Sequence, residues 1–122
     1  MEFTFQRRFE ELEQDYTRAH KKQEENLEEI YFQNRQFKKN LDDLADRLRY
    51  VTSHYGDSER LPPIKQGYAF LSQAEEEGSY LVKQLTSELE EEMEQTTQAY
   101  DKERSRYEEE YLLAKKKEGE HL

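Results

Sequence analysis

The chain has no cysteine and no tryptophan, and only two prolines and four glycines. Without cysteine there can be no disulfide framework, no thiolate nucleophile and no cysteine-based zinc site, and the redox compartment leaves no mark on the sequence. Long apolar runs are missing too. Nothing approaches the roughly 18 apolar residues of a membrane span, and residues 1–30 hold no continuous apolar stretch of the kind a secretory signal needs. A cytoplasmic start is therefore expected. Positive charge is outweighed, with 19 Lys and Arg against 29 Asp and Glu and a formal net charge of −10. Nucleic acid and anionic membrane surfaces both require a basic patch, so neither is expected as a partner.

What the chain does have is charge and helical rhythm. Of its 122 residues 39% are charged and 33% apolar. That is too little apolar surface for a thick core or an enclosed cavity, and it suits either an elongated helix pair or a disordered chain. Periodicity decides between them. From Phe5 the apolar positions step by four and three through Phe9, Leu12, Tyr16, Ala19, Leu27, Ile30, Phe37, Leu41, Leu44, Leu48, Val51 and Tyr55, which is one face of a helix. Gln23 and Asn34 interrupt that face with polar side chains of the kind that fix register or partner choice, and the four-residue step from Gln23 to Leu27 reads as a stutter. The pattern stops at Tyr55-Gly56-Asp57-Ser58, where Gly56 suits a left-handed cap and Pro62 and Pro63 follow. Proline is tolerated in a first helical turn, so Pro63 is expected to open the next helix. Its face runs through Ile64, Tyr68, Leu71, Ala74, Gly78, Leu81, Leu85, Leu89, Met93, Thr96, Tyr100, Tyr107, Tyr111 and Ala114. Gly78 on that face, costing about 1 kcal/mol against alanine, marks either a close backbone approach or bend, or a tolerated weak spot.

The expected fold is all-α: one elongated, coiled-coil-like antiparallel two-helix hairpin over residues 1–122. Helix 1 spans about 3–55, the turn about 56–62 (Gly56, Pro62 and Pro63) and helix 2 about 63–117, with a frayed tail at 118–122. The seam falls to Phe9, Leu12, Ile30, Phe37, Leu41, Leu44 and Leu48 facing Leu71, Leu81, Leu85 and Leu89. Folding back about the turn places Gln23 near the level of Leu85, Leu89 and Met93.

Chemistry is sparse. The histidines, His20, His54 and His121, lie far apart, and no nucleophile stands at helical spacing from a base. Glu118 and His121 have the Glu-x-x-His spacing of helical di-iron sites, but they flank Gly119 and have no second copy. The glycines form no phosphate loop. Neither an enzyme nor a cofactor nor a metal is expected. Between Glu75 and Asp101 nine acidic residues (Glu75, Glu76, Glu77, Glu88, Glu90, Glu91, Glu92, Glu94 and Asp101) meet one basic residue, Lys83; this is either a solvated helix face or a docking surface for a basic partner. Apolar residues beyond the seam are more telling: Phe3, Tyr31, Phe32, Tyr50, Phe70, Val82, Leu112 and Leu113 widen the stripe past what two helices need. Burying one such side chain is worth roughly 1.5–3 kcal/mol, so another helical pair is expected to cover them. Tyr31, Phe32, Tyr50, Phe70, Val82, Leu112 and Leu113 are the candidate partner contacts, unless some of these aromatics merely lie along the hairpin's flank.

The Tyr55-Gly56 turn, the Pro62-Pro63 break and a Glu-, Gln- and Tyr-rich second helix ending in YDKERSRYEEEYLLAKKK resemble the small helical proteins of Gram-positive type VII secretion, in particular the partners of LXG toxins. The resemblance covers nearly the whole chain through architecture and texture. Two features depart from it. The Trp-x-Gly of WXG-type turns is absent, and the aromatic-then-acid secretion motif fails because Tyr100 is followed four residues on by Arg104, Tyr107 by Tyr111 and Tyr111 by Lys115. The resemblance implies a targeting chaperone that binds the helical N-terminal domain of a toxin, together with a second small helical protein, and leaves open its own export with that client. Two rival readings need no such family: a structural coiled coil of identical chains, such as a homodimer, and a general helical-tentacle chaperone with apolar tips at Phe3, Phe5, Leu112 and Leu113.

Overall fold

The computed structural model describes residues 2–54 and 62–120. It is all-α: α1 (Glu2–His54) and α2 (Pro62–Glu120) pack against each other as an antiparallel helical hairpin, with no strand among the described residues. The expected turn at Gly56, Tyr55 before it, and His121 all lie outside the described residues. α2 opens at Pro62, one residue ahead of the expected start, where a missing N–H costs nothing because first-turn donors have no intrahelical partner. It continues to Glu120, past the boundary expected near 117, and carries Gly119 with open space around it.

Local sequence favours these long helices. Their interiors are rich in Glu, Lys, Gln, Leu and Arg, and poor in glycine and β-branched residues. Pairs four apart tie successive turns together, including Arg7 to Glu11 at 3.3 Å and Arg104 to Glu108 at 3.3 Å. Each such exposed pair adds about 0.2–0.5 kcal/mol. No described helix is long and apolar enough to cross a membrane.

The chain divides into two compact units, a terminal unit of 1–26 with 88–122 and an inner unit of 27–87. In the terminal unit the helices are joined by rings. Phe5 meets Tyr111 edge-on with centroids 5.6 Å apart, Phe9 meets Tyr107 at 6.0 Å, and Tyr16 stacks on Tyr100 at 4.3 Å. Each step forward along α1 is matched by an equal step back along α2, which is the antiparallel register. Above the rings lies a polar layer: the Tyr16 hydroxyl and Thr97 Oγ1 are 3.0 Å apart, and Gln23 donates to Thr96 Oγ1 at 2.9 Å. Gln23 thus sits one helical step beyond the Leu85-to-Met93 stretch expected to face it. In the inner unit the register is fixed by large residues against glycines. A methyl group on Gly67 would stand 3.2 Å from Leu48 Cδ2, and one on Gly78 would stand 2.5 Å from Phe37 Cε1. Gly78 is therefore a close approach, and the tolerated-weak-spot alternative falls away.

The inward-facing residues do not follow heptads throughout. In the inner unit Ile30, Leu41 and Thr52 are each at least half buried and stand eleven residues apart, as do Asn34 and Ala45, and Gly67 and Gly78. In the terminal unit the same spacing links Leu12 to Gln23 and Leu89 to Tyr100 and Tyr111. Eleven residues over three turns is about 3.67 per turn, whereas a heptad seam assumes 3.5, and an untwisted helix drifts about 20° per heptad between the two. The drift explains the corrections to the seam. Leu44, Leu81 and Leu85 are 44%, 53% and 40% exposed, and the positions one residue on, Ala45, Val82 and Thr86, are turned inward instead. Phe9, Leu12, Ile30, Leu41, Leu48 and Leu71 stand partly buried, and Leu89 is buried at 8%.

Candidate functional site

Two of the three displaced leucines, Leu81 and Leu85, share a destination. In the inner unit Leu81, Leu85 and Phe70 of α2 turn toward Ile30 and Phe37 of α1, and with Ala74, Gly78 and Val82 they line an open apolar groove of about 620 Å³. The groove exists because of residue size as well as periodicity. Ala74 and Gly78 lack the bulk to fill the space beside the seam, so the Phe37 ring leans onto Gly78 and the leucines of the next turns stay uncovered. Phe70 remains 64% exposed. Such a patch is costly to leave in water when covering each large side chain is worth roughly 1.5–3 kcal/mol.

Its rim is polar and built alike on both walls. On α1 Gln33 donates to Glu29 Oε1 at 2.9 Å, and on α2 Gln73 donates to Glu77 Oε1 at 3.0 Å. Asn34 completes the lining, and none of the lining residues is Lys, Arg or His. An apolar floor with a few oriented polar groups at the edge is the usual build of a recognition site.

Of the candidate partner contacts, the structure brings Phe70 and Val82 together in this groove. It also adds Ile30, Phe37, Leu81 and Leu85, which the sequence pattern assigned to the hairpin seam. Tyr31 and Phe32 stay exposed outside the lining; Phe32 follows Ile30 by two residues, about 200° round the helix, so it points the other way. Tyr50 is exposed and leans on His54, ring centroids 4.6 Å apart. In the terminal unit Leu113 and Leu112 are exposed, and Leu112 borders a smaller hollow with Phe9, Leu12, Tyr100 and Tyr111.

One ion pair of the terminal unit crosses between the helices. Arg8 lies over the Tyr107 ring at 4.1 Å from its centroid and pairs with Glu110 at 3.1 Å. Tyr107 first, and Glu110 after it, raise the Arg8 pKa above the usual arginine value. Arg104 is likewise raised, by Tyr100 and then Glu108. Among the described residues no cluster of three or more His, Asp or Glu is arranged to hold a metal ion.

No protein-family model, no curated protein and no solved structure matches the chain.

Proposed function

We propose that the chain is a non-catalytic protein-binding adaptor whose inner unit takes a helix of another protein into the groove between α1 and α2. The observation that carries this reading is the uncovered set Phe70, Leu81 and Leu85 beside Ile30 and Phe37. A third helix laid between two is how helical bundles grow, and an amphipathic helix in an apolar groove is a recurrent recognition mode. The thinness of the hairpin's own core supports it. Among the described apolar residues only Ile64, at 9% exposed, and Leu89, at 8%, are buried.

The resemblance to LXG-toxin partners gives this reading its specific form: the client is the helical N-terminal domain of such a toxin, bound so that the type VII apparatus recognises the assembly. The groove supports the binding, and the resemblance alone supports that client. The test is to co-express the chain with the helical N-terminal domain of an LXG-type toxin from its own genome and weigh the purified complex by light scattering. Phe70→Ser with Leu81→Ser should abolish the complex while circular dichroism still reports full helicity. Phe32→Ser, on the opposite side of α1, separates a second contact face from the groove. A complex that survives the groove variant would sink the assignment of the site, and a tight homodimer of the chain alone would favour the structural coiled coil.

A further inference from the structure

We infer that the groove's partner is an amphipathic helix whose apolar stripe is flanked by Lys or Arg, seated between the carboxylates of Glu29 and Glu77. This deepens the adaptor reading and rests on it. From Phe70 to Leu85 the α2 wall runs 15 residues, or about 22 Å at 1.5 Å per residue, which a partner helix of about four turns would match. The walls are helical and offer no free strand edge, so an extended peptide would find no backbone partners, whereas a helix brings its own hydrogen bonds satisfied.

Charge then selects the flanks. Each wall carries one carboxylate, held by a neutral amide four residues away at 2.9 Å on α1 and 3.0 Å on α2. The amides orient Glu29 and Glu77 without neutralising them, and no basic residue lines the groove. An incoming helix with acidic flanks would press like charges together as water leaves, and one with basic flanks would gain an ion pair on each wall. The same argument disfavours a second copy seated groove to groove, since its Glu29 and Glu77 would meet these same side chains in a chain of net charge −10.

The test uses the full chain and two fluorescent synthetic peptides of about 15 residues, about four helical turns. Both carry the same leucine stripe at four- and three-residue steps; one is flanked by Lys and the other by Glu. The Lys-flanked peptide should bind roughly tenfold more tightly, the equivalent of two partly exposed ion pairs, and the gap should narrow at high salt. Glu29→Gln with Glu77→Gln should close the gap at low salt, and Leu81→Ser should weaken both peptides. Equal affinity of the two peptides, both lost in Leu81→Ser, overturns the basic-flank inference and leaves the groove as a helix site. Failure of both peptides to bind overturns it as well. If in addition the toxin-domain complex ignores Phe70→Ser with Leu81→Ser, the adaptor reading of this groove falls with it.

Discussion

The two units use the same two helices and close their seams differently. In the terminal unit both helices contribute rings, so Phe5, Phe9 and Tyr16 find Tyr111, Tyr107 and Tyr100 across the interface. In the inner unit, where α2 presents Gly67, Ala74 and Gly78, the large Phe37 and Leu48 of α1 settle against glycine while Leu81 and Leu85 are left outside. Matched sizes let rings meet across the two-helix interface, although Leu112 and Leu113 at its far end stay exposed. Mismatched sizes bring the backbones close and leave an apolar flank for something else to cover.

The sharpest way to break this contrast is to truncate one leucine from each setting. Leu89 of the terminal unit is buried, so Leu89→Ala should cost about 2–4 kcal/mol in urea or thermal unfolding. Leu81 of the groove is mostly uncovered, so Leu81→Ala should cost no more than about 0.5 kcal/mol in the isolated chain. Comparable losses would mean that the groove is part of the folding core.

The glycines test the size argument next. Gly67→Ala gains about 1 kcal/mol of helix propensity and asks Leu48 to give only a few tenths of an ångström, so it should stabilise the chain. Gly78→Ala gains the same propensity but drives into the Phe37 ring and must push it from its seat. A net loss of about 1 kcal/mol is expected there, within the range for an overpacked contact. Melting temperatures moving in the same direction for both variants would show that Phe37 rotates away freely and that Gly78 does not shape the groove.

The sequence disclosed the all-α hairpin, because apolar residues step by three and four through two long segments on either side of the break at Gly56 and Pro62-Pro63. It also singled out Gly78, since a glycine on an apolar face calls for an explanation. It did not disclose the groove. Choosing Leu44 over Ala45, and Leu81 and Leu85 over Val82 and Thr86, follows from counting the larger apolar residue as the inward one. The eleven-residue spacing of Ile30, Leu41 and Thr52 was present in the sequence but disguised, because Thr52 is polar and yet buried, its hydroxyl donating to the Leu48 carbonyl at 2.8 Å. Which face of Phe70 and Leu81 stays open depends on how far the Phe37 ring leans onto α2, and no one-dimensional pattern contains that.

The polar layer of the terminal unit gives the finest test, for there the seam holds an amide where the rest of the unit uses rings. Gln23 is only 7% exposed, and its amide donates to Thr96, but its Oε1 is buried without a hydrogen-bond partner among the described residues. A buried acceptor left unmade costs about 1–3 kcal/mol, and the lost amide bond would return about 0.5–1.5 kcal/mol of that. Thr96 would not be stranded by its removal, because its hydroxyl also donates to the Glu92 carbonyl at 2.9 Å. Gln23→Leu should therefore raise stability by about 0.5–1.5 kcal/mol in urea unfolding, the difference between those two terms. A polar seam residue that costs stability fits the role of fixing register, as a single buried amide does in coiled coils. Disulfide formation between cysteines introduced at Phe9 and Tyr107 should then fall in the Gln23→Leu background, whereas an undiminished yield would leave the other ring pairs alone in charge of alignment.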